Sequence, residues 1–400
     1  MAENLVEKAK SVAEKYKDDM VRFCQELIRR PSMSGEEGAV AELIRSEMRK
    51  LGYDDVSVDE TGNVIGLMKG SGGGKSVMLN SHMDHVHPGD ESAWPYPPYS
   101  GELHDGHVWG RGASDTKGAI ATQVYSTAAL KEITGDFAGD VYVVGAVLEE
   151  LGGLGTKTLV KNLHTDYAIL GEGTSNQIKI GHRGRVGIVV QVDGKSVHGS
   201  VPEKGINPHY IIASFINRIK EYQLPESGMF GKASLAPTLY TTDQTSPNVT
   251  PGRCRLHLDY RLIPGEDASE VAGKFALLLE ECLTYGSEAD VYIPHFEARC
   301  YTGYSEQMDS VIPSYGLKED HPLVTTARDC IKETLGKEID VLKWDFATDG
   351  GHLMNAGIPT IGFSPCQEEF AHTSQDRISV EMMTESLIGH CTLIPRLWRL

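Results

Sequence analysis

The sequence predicts an α/β protein carrying a second, smaller segment inserted into it. Three observations carry this expectation. Short, continuous apolar runs bounded by Gly, Asp or Pro lie at 77–79, 141–148, 167–170 and 359–363. Runs of that kind fit strands covered on both faces of a largely parallel sheet. Helical periodicity follows some of them. The middle of the chain reads differently, in the order βαββαβ.

The elements follow in order. The first residues, 1–17, are charged and amphipathic, with no apolar segment or cleavage site of a secretory leader. Ser34 followed by Glu37 reads as a capping box. Val40, Leu43, Ile44, Met48 and Leu51 then recur at helical spacing until Gly52. In the middle, 185–193 alternates as a strand and 208–222 has helical period. Strands at 235–242 and 253–263, a helix at 268–283 and a strand at 289–296 complete a ferredoxin-like pattern. A helix at 321–335 and the strand at 359–363 return to the first style. The expected division is a discontinuous catalytic domain, 1–183 and 305–400, with an inserted domain at 184–304. The joints fall near Gly184 and Tyr304.

With 400 residues the chain is long enough for two domains, and 40% hydrophobic content supplies a substantial core. Its 38 basic and 56 acidic side chains give a net charge of −18. That sign argues against nucleic acid or an anionic membrane as the main partner and by itself says little more; the expectation of a small-molecule substrate rests on the motifs that follow. The seven cysteines are scattered and form no C-x-x-C, the usage of a reducing compartment. With no run approaching the ~18 apolar residues of a membrane span, a cytoplasmic location is expected.

The chemistry sits where the apolar strands end. The run at 77–79 leads into Asn80-Ser81-His82-Met83-Asp84, that at 141–148 into Glu149-Glu150, and that at 167–170 into Gly171-Glu172. The run at 359–363 leads into a loop holding His372, and Asp115 precedes the helical stretch that starts at Lys117. Ligands of an open α/β sheet bind outside the carboxyl ends of its strands, so these groups are expected to converge. Each has a bland alternative: a His-x-Asp can be structural, paired glutamates can form a solvated turn, Glu172 can be an ion-pair partner and His372 a surface histidine. Gathered on one edge they would be unstable as bare charges. Imidazoles and carboxylates without thiolate suit zinc, with manganese or cobalt as substitutes, and a shared carboxylate is a common way to build a two-metal hydrolytic site. No Gly-x-Ser-x-Gly elbow precedes a helix, which disfavours a serine hydrolase.

Over nearly its whole length the chain resembles the aminoacylase, acetylornithine deacetylase and succinyl-diaminopimelate desuccinylase family of metallopeptidases. That family also includes carboxypeptidases and ureido-acid amidohydrolases. The matching motifs are Ser81-His82-Met83-Asp84, Gly110-Arg111-Gly112-Ala113-Ser114-Asp115-Thr116-Lys117-Gly118, Glu149-Glu150-Leu151-Gly152-Gly153, Gly171-Glu172-Gly173-Thr174 and Ala371-His372. Its texture further resembles hydrolases linked to selenium metabolism and purine breakdown. The resemblance implies a zinc-peptidase-like catalytic domain with a mixed, mostly parallel sheet. It also implies that the inserted domain is a lid that mediates homodimerisation. Two Zn2+ ions (or Co2+ or Mn2+) would be held by His82, Asp115 and Glu172 and by Asp115, Glu150 and His372. Asp84 would hydrogen-bond the far nitrogen of His82, and Glu149 would be the general base for a metal-bridging hydroxide. The Asp115–Thr116 peptide would be cis. From the lid, His198 would stabilise the oxyanion, and Asn248 and Arg261 would contact a substrate carboxylate. Without the resemblance, His198 reads as a solvated loop residue, Asn248 as a turn residue and Arg261 as a surface charge.

The implied activity is hydrolysis of amide-type C–N bonds in N-acyl or N-carbamoyl amino acids or short peptides. The alternatives are a di- or aminopeptidase of the same architecture and a catalytically silent metal-binding homologue. His85, His87, His104, His107, His164 and His352 keep structural readings.

Overall fold

A computed structural model describes residues 2–400; Met1 lies outside the described residues. The main sheet has nine strands. At its centre Val77–His82 runs parallel to Val141–Ala146 on one side and to Tyr167–Leu170 on the other. Thr360–Gly362 continues the parallel array beside Tyr167–Leu170. One edge is finished by the antiparallel hairpin Asp55–Val58 and Val64–Met68. The other edge is finished by Ile178–His182 with Tyr315–Gly316 and Val341–Trp344.

Both faces of this sheet are covered, which is why its central strands are uninterrupted apolar runs. The helix Gly118–Thr134 is buried almost throughout and packs between Ala2–Ile28 and Val380–Leu397. The opposite face packs Met78, Val144 and Leu170 against Leu159, Leu353 and Ile358. All seven cysteines are buried and unpaired. Among the described residues, no helix is long and apolar enough to cross a membrane.

A second, antiparallel sheet orders its strands Ser234–Thr242, Arg253–Arg261, Arg185–Asp193 and Glu288–Tyr292. Helices Pro208–Lys220 and Ala268–Glu280 supply Phe215 and Phe275 to its own core, against Val190 and Leu258. The chain order is βαββαβ. Ser234–Thr242 is an edge strand, largely exposed, with a register shift between Pro237 and Leu239.

Three local expectations are corrected. The Ser34–Glu37 capping box does not form. The helix Gly38–Lys50 begins after Glu37, which makes no side-chain cap, and Ser34 Oγ donates to Asp84 instead. The strand expected over 141–148 stops at Ala146, because Leu148 adopts φ +57° and leaves the sheet. The strand expected through Phe296 ends at Tyr292; after Pro294 the chain starts a separate hairpin, His295–Arg299 with Ser305–Asp309.

Candidate metal centre

Parallel strands deliver their carboxyl ends to one edge, and the candidate residues meet there. His82 is the last residue of Val77–His82 and is buried. Its Nε2 lies 3.0 Å from Asp115 Oδ1 and 3.6 Å from Glu172 Oε1. His372 Nε2 lies 3.0 Å from Asp115 Oδ2 and 3.0 Å from Glu150 Oε1. Asp115 therefore presents one carboxylate oxygen to each imidazole. Donor atoms of His82, Glu149 and Glu172 fall within 4.8 Å of one another, as do those of Asp115, Glu150 and His372. Glu149 is thus as close to the first group as a donor would be.

The segment carrying Asp115 is held from several sides. The Asp115–Thr116 peptide is cis. Thr116 Oγ1 donates to His82 O and accepts from His82 N, tying the two elements together. Beneath them Asp376, fully buried, accepts from Gly112 N at 2.7 Å, Ser114 N at 2.9 Å and Arg111 Nη1 at 3.2 Å. His372 itself sits at φ +60° and is half exposed. Its loop is braced by the Lys179–Glu368 ion pair at 2.6 Å and by Arg377, stacked on Trp109 and Phe370.

The electrostatics follow from crowding four carboxylates with two imidazoles. Burial pushes Glu149 well above the usual carboxylate range and Glu172 up to about 8. Burial also raises Glu150, against the hydrogen bond from His372. Burial opposes the His82 cation, but Asp115 and Asp84 outweigh it and hold the ring well above its ordinary value. Hydrogen bonds to Asp115 and Glu150 raise His372 to about 10. Asp115 is held below its ordinary value, because the two imidazoles overcome its burial. A buried excess of carboxylate over imidazole, with no thiolate and one bridging carboxylate, is a donor set that fits two divalent cations.

Asp84 makes a broader set of contacts than the one expected of it. His82 Nδ1 donates to the Asp84 main-chain oxygen at 3.0 Å, while the carboxylate Oδ1 lies at 3.4 Å. The carboxylate accepts from Glu149 N at 3.1 Å and Glu150 N at 3.2 Å.

The pocket over the cluster is about 350 Å³ and adds Asp345, Phe346, Ala347, Glu368 and Ala371 to its walls. None of His198, Asn248 and Arg261 lines it. His198 Nδ1 pairs with Ser200 Oγ at 2.7 Å, Asn248 Oδ1 accepts from Ser246 Oγ at 2.6 Å, and Arg261 is paired with Asp259 at 2.7 Å. A larger depression of about 410 Å³, lined by Lys157, Gln307 and His352, gathers no converging donor set. His85 and His352 are buried; His85 accepts from Ser32 N and His352 pairs with Gly152 O, so both are structural.

Sequence reasoning missed Asp376 and the Lys179–Glu368 pair. Nothing in the sequence marks them, because a buried acid that binds main-chain amides is recognisable only once the surrounding loops are placed.

The model of peptidase family M20/M25/M40 matches residues 78–394. The chain belongs to this family. As an M20 member it is a metal-dependent hydrolase acting on C–N bonds. It is 30% identical over 379 residues to the uncharacterised protein YgeY of Escherichia coli K12, covering 93% of this chain and 92% of that one. It is also 30% identical over 295 residues to a succinyl-diaminopimelate desuccinylase of Cereibacter sphaeroides, covering 69% of this chain and 75% of that one. Among solved M20 structures, the Bacillus subtilis YXEP protein, a dinuclear metal binding peptidase, shares the fold. Its TM-score is 0.74 at 14% identity, with 96% of this chain and 99% of that one covered.

Proposed function

We propose that this M20 hydrolase cleaves the amide or ureido C–N bond of N-acyl or N-carbamoyl amino acids or short peptides, with Glu149 as general base. The observation that carries the reading is the placement of Asp115 between His82 and His372, with Glu149 beside them in the wall of one pocket.

His82, Asp115 and Glu172 would hold one cation and Asp115, Glu150 and His372 the other; zinc suits these donors, and cobalt or manganese could replace it. When bound, the pair supplies positive charge that polarises the scissile carbonyl and acidifies water. Asp84 orients His82 through its main-chain oxygen and holds the Glu149 and Glu150 amides. Glu149 takes the proton of the attacking water at its carboxylate and delivers it to the leaving nitrogen. His198, Asn248 and Arg261 would meet the substrate only after closure of the segment 184–304 or from a second copy of the chain. A homodimer through that segment is supported by its edge strand, where Leu239 and Tyr240 are exposed. A cytoplasmic location is supported by seven unpaired cysteines.

One observation favours the di- or aminopeptidase reading: Asp345, exposed at the pocket wall, suits a free amino group. A turnover panel on metal-loaded protein separates the two. It comprises N-acetyl, N-succinyl and N-carbamoyl amino acids and dipeptides, with a chelator control and separate assays of amine and ammonia. Chelator-sensitive release from an N-acyl or N-carbamoyl substrate is expected. Turnover of dipeptides alone would exclude the N-acyl and N-carbamoyl substrates and narrow this reading to the peptidase one.

A further inference from the structure

After Ala146 the chain leaves the sheet, and the next four amides lose their strand partners. Each finds a side-chain oxygen instead, as buried amides must. Val147 N donates to Asn63 Oδ1 at 3.0 Å and Leu148 N to Glu37 Oε1 at 3.1 Å. Glu149 N and Glu150 N donate to the two oxygens of Asp84. Asn63, Glu37 and Asp84 are all fully buried.

Leu148 is the strained member of the four. At φ +57° it occupies the left-handed region that a leucine adopts only when its surroundings impose it. The acceptor on its amide is Glu37, which also accepts from Gly35 N at 3.0 Å. The other carboxylate oxygen of Glu37 is buried and has no partner. A helix start does not need a buried acid in that condition. Ser34, three residues earlier, donates to Asp84 Oδ2 at 2.7 Å. Both residues whose spacing suggests a helix cap thus serve the turn that leads into Glu149.

We propose that Glu37 is a positioning residue for Glu149: its Oε1 holds the Leu148 amide in the left-handed turn that aims the Glu149 carboxylate into the metal cluster. The proposal rests on the reading of Glu149 as general base. It acts through the main chain, so it requires an acceptor at the Oε1 position and no charge.

Two variants of the full-length, metal-loaded enzyme separate acceptor from charge. Glu37→Asp withdraws the acceptor by one methylene and keeps the charge; Glu37→Gln keeps Oε1 and removes the charge. Three quantities are read: amide hydrogen exchange at 147–150, metal content, and kcat and KM on the best substrate of the panel above. Glu37→Asp is expected to exchange the Leu148 amide at least ~10-fold faster. Its kcat is expected to fall ~10- to 100-fold at unchanged KM, with two metals retained. Glu37→Gln is expected to stay within ~3-fold of the wild type in both exchange and kcat. Wild-type exchange and kcat in Glu37→Asp would overturn the proposal. So would Glu37→Gln as impaired as a charge-based role requires, an outcome that decides the question even where Glu37→Asp does not fold. Glu149→Gln, run alongside, tests the underlying reading: full turnover there removes Glu149 as base, while the exchange data still judge the Glu37 contact on their own.

Discussion

Glu149 and Glu150 are adjacent in sequence yet face different partners. Glu150 lies 3.0 Å from His372, whereas Glu149 groups with His82 and Glu172. The proposed division of labour makes Glu150 a ligand and Glu149 a proton carrier. Glu149→Gln is therefore expected to keep both metals and lose at least ~100-fold in kcat. Metal analysis beside steady-state kinetics checks this, and a variant within a few-fold of the wild type would remove Glu149 from the chemistry. The convergence of His82, Asp115, Glu150, Glu172 and His372 is legible in the sequence because these residues follow apolar strands or precede a buried helix. What Asp84 touches is not legible. Its main-chain contact to His82 and its carboxylate contacts to Glu149 N and Glu150 N depend on the path of a neighbouring turn.

At the scale of elements, short loops are fixed by buried acids. Asp376 joins the loop of Asp115 to that of His372 by accepting two main-chain amides and the Arg111 guanidinium. Asp376→Ala leaves Arg111 buried without its carboxylate, a change expected to destabilise the fold by roughly 3 kcal/mol. It should also weaken metal binding and alter the visible spectrum of the cobalt-substituted protein. Urea melts and cobalt titration read these effects separately; an unchanged cobalt spectrum would confine Asp376 to stability. The apolar strands and the periodic helices are legible because burial imposes period on residue choice. The capping-box reading fails for a related reason. Ser34 and Glu37 have the spacing of a cap, but the Asp84 carboxylate takes the Ser34 hydroxyl as a donor and the Leu148 amide takes Glu37 as an acceptor.

For the whole molecule, the βαββαβ order is legible from alternation and turn residues. That His198, Asn248 and Arg261 do not line the pocket over the cluster is not, since it depends on how the inserted segment sits against the main sheet, which no local period encodes. Stability against acid is also a property of the whole chain. Burial pushes His182 and His390 from 6.5 down to about 4, so both rings stay neutral in the fold. Between those values the unfolded chain binds protons that these two rings refuse in the fold, so their contribution to stability falls as pH drops from 6.5 towards 4. Thermal melts across that window should show the Tm of His390→Leu gaining on that of the wild type as pH drops. An equal slope in the variant would show that this ring does not contribute.

In the proposed centre Asp115 is shared by two cations. Calorimetric titration of metal-free protein with Zn2+, run on the wild type and on Asp115→Ala, reads this sharing as ions bound per chain. Two ions per chain are predicted for the wild type, with loss of tight binding for at least one of them in the variant. Two tightly held ions in Asp115→Ala, or a single ion in the wild type, would contradict it.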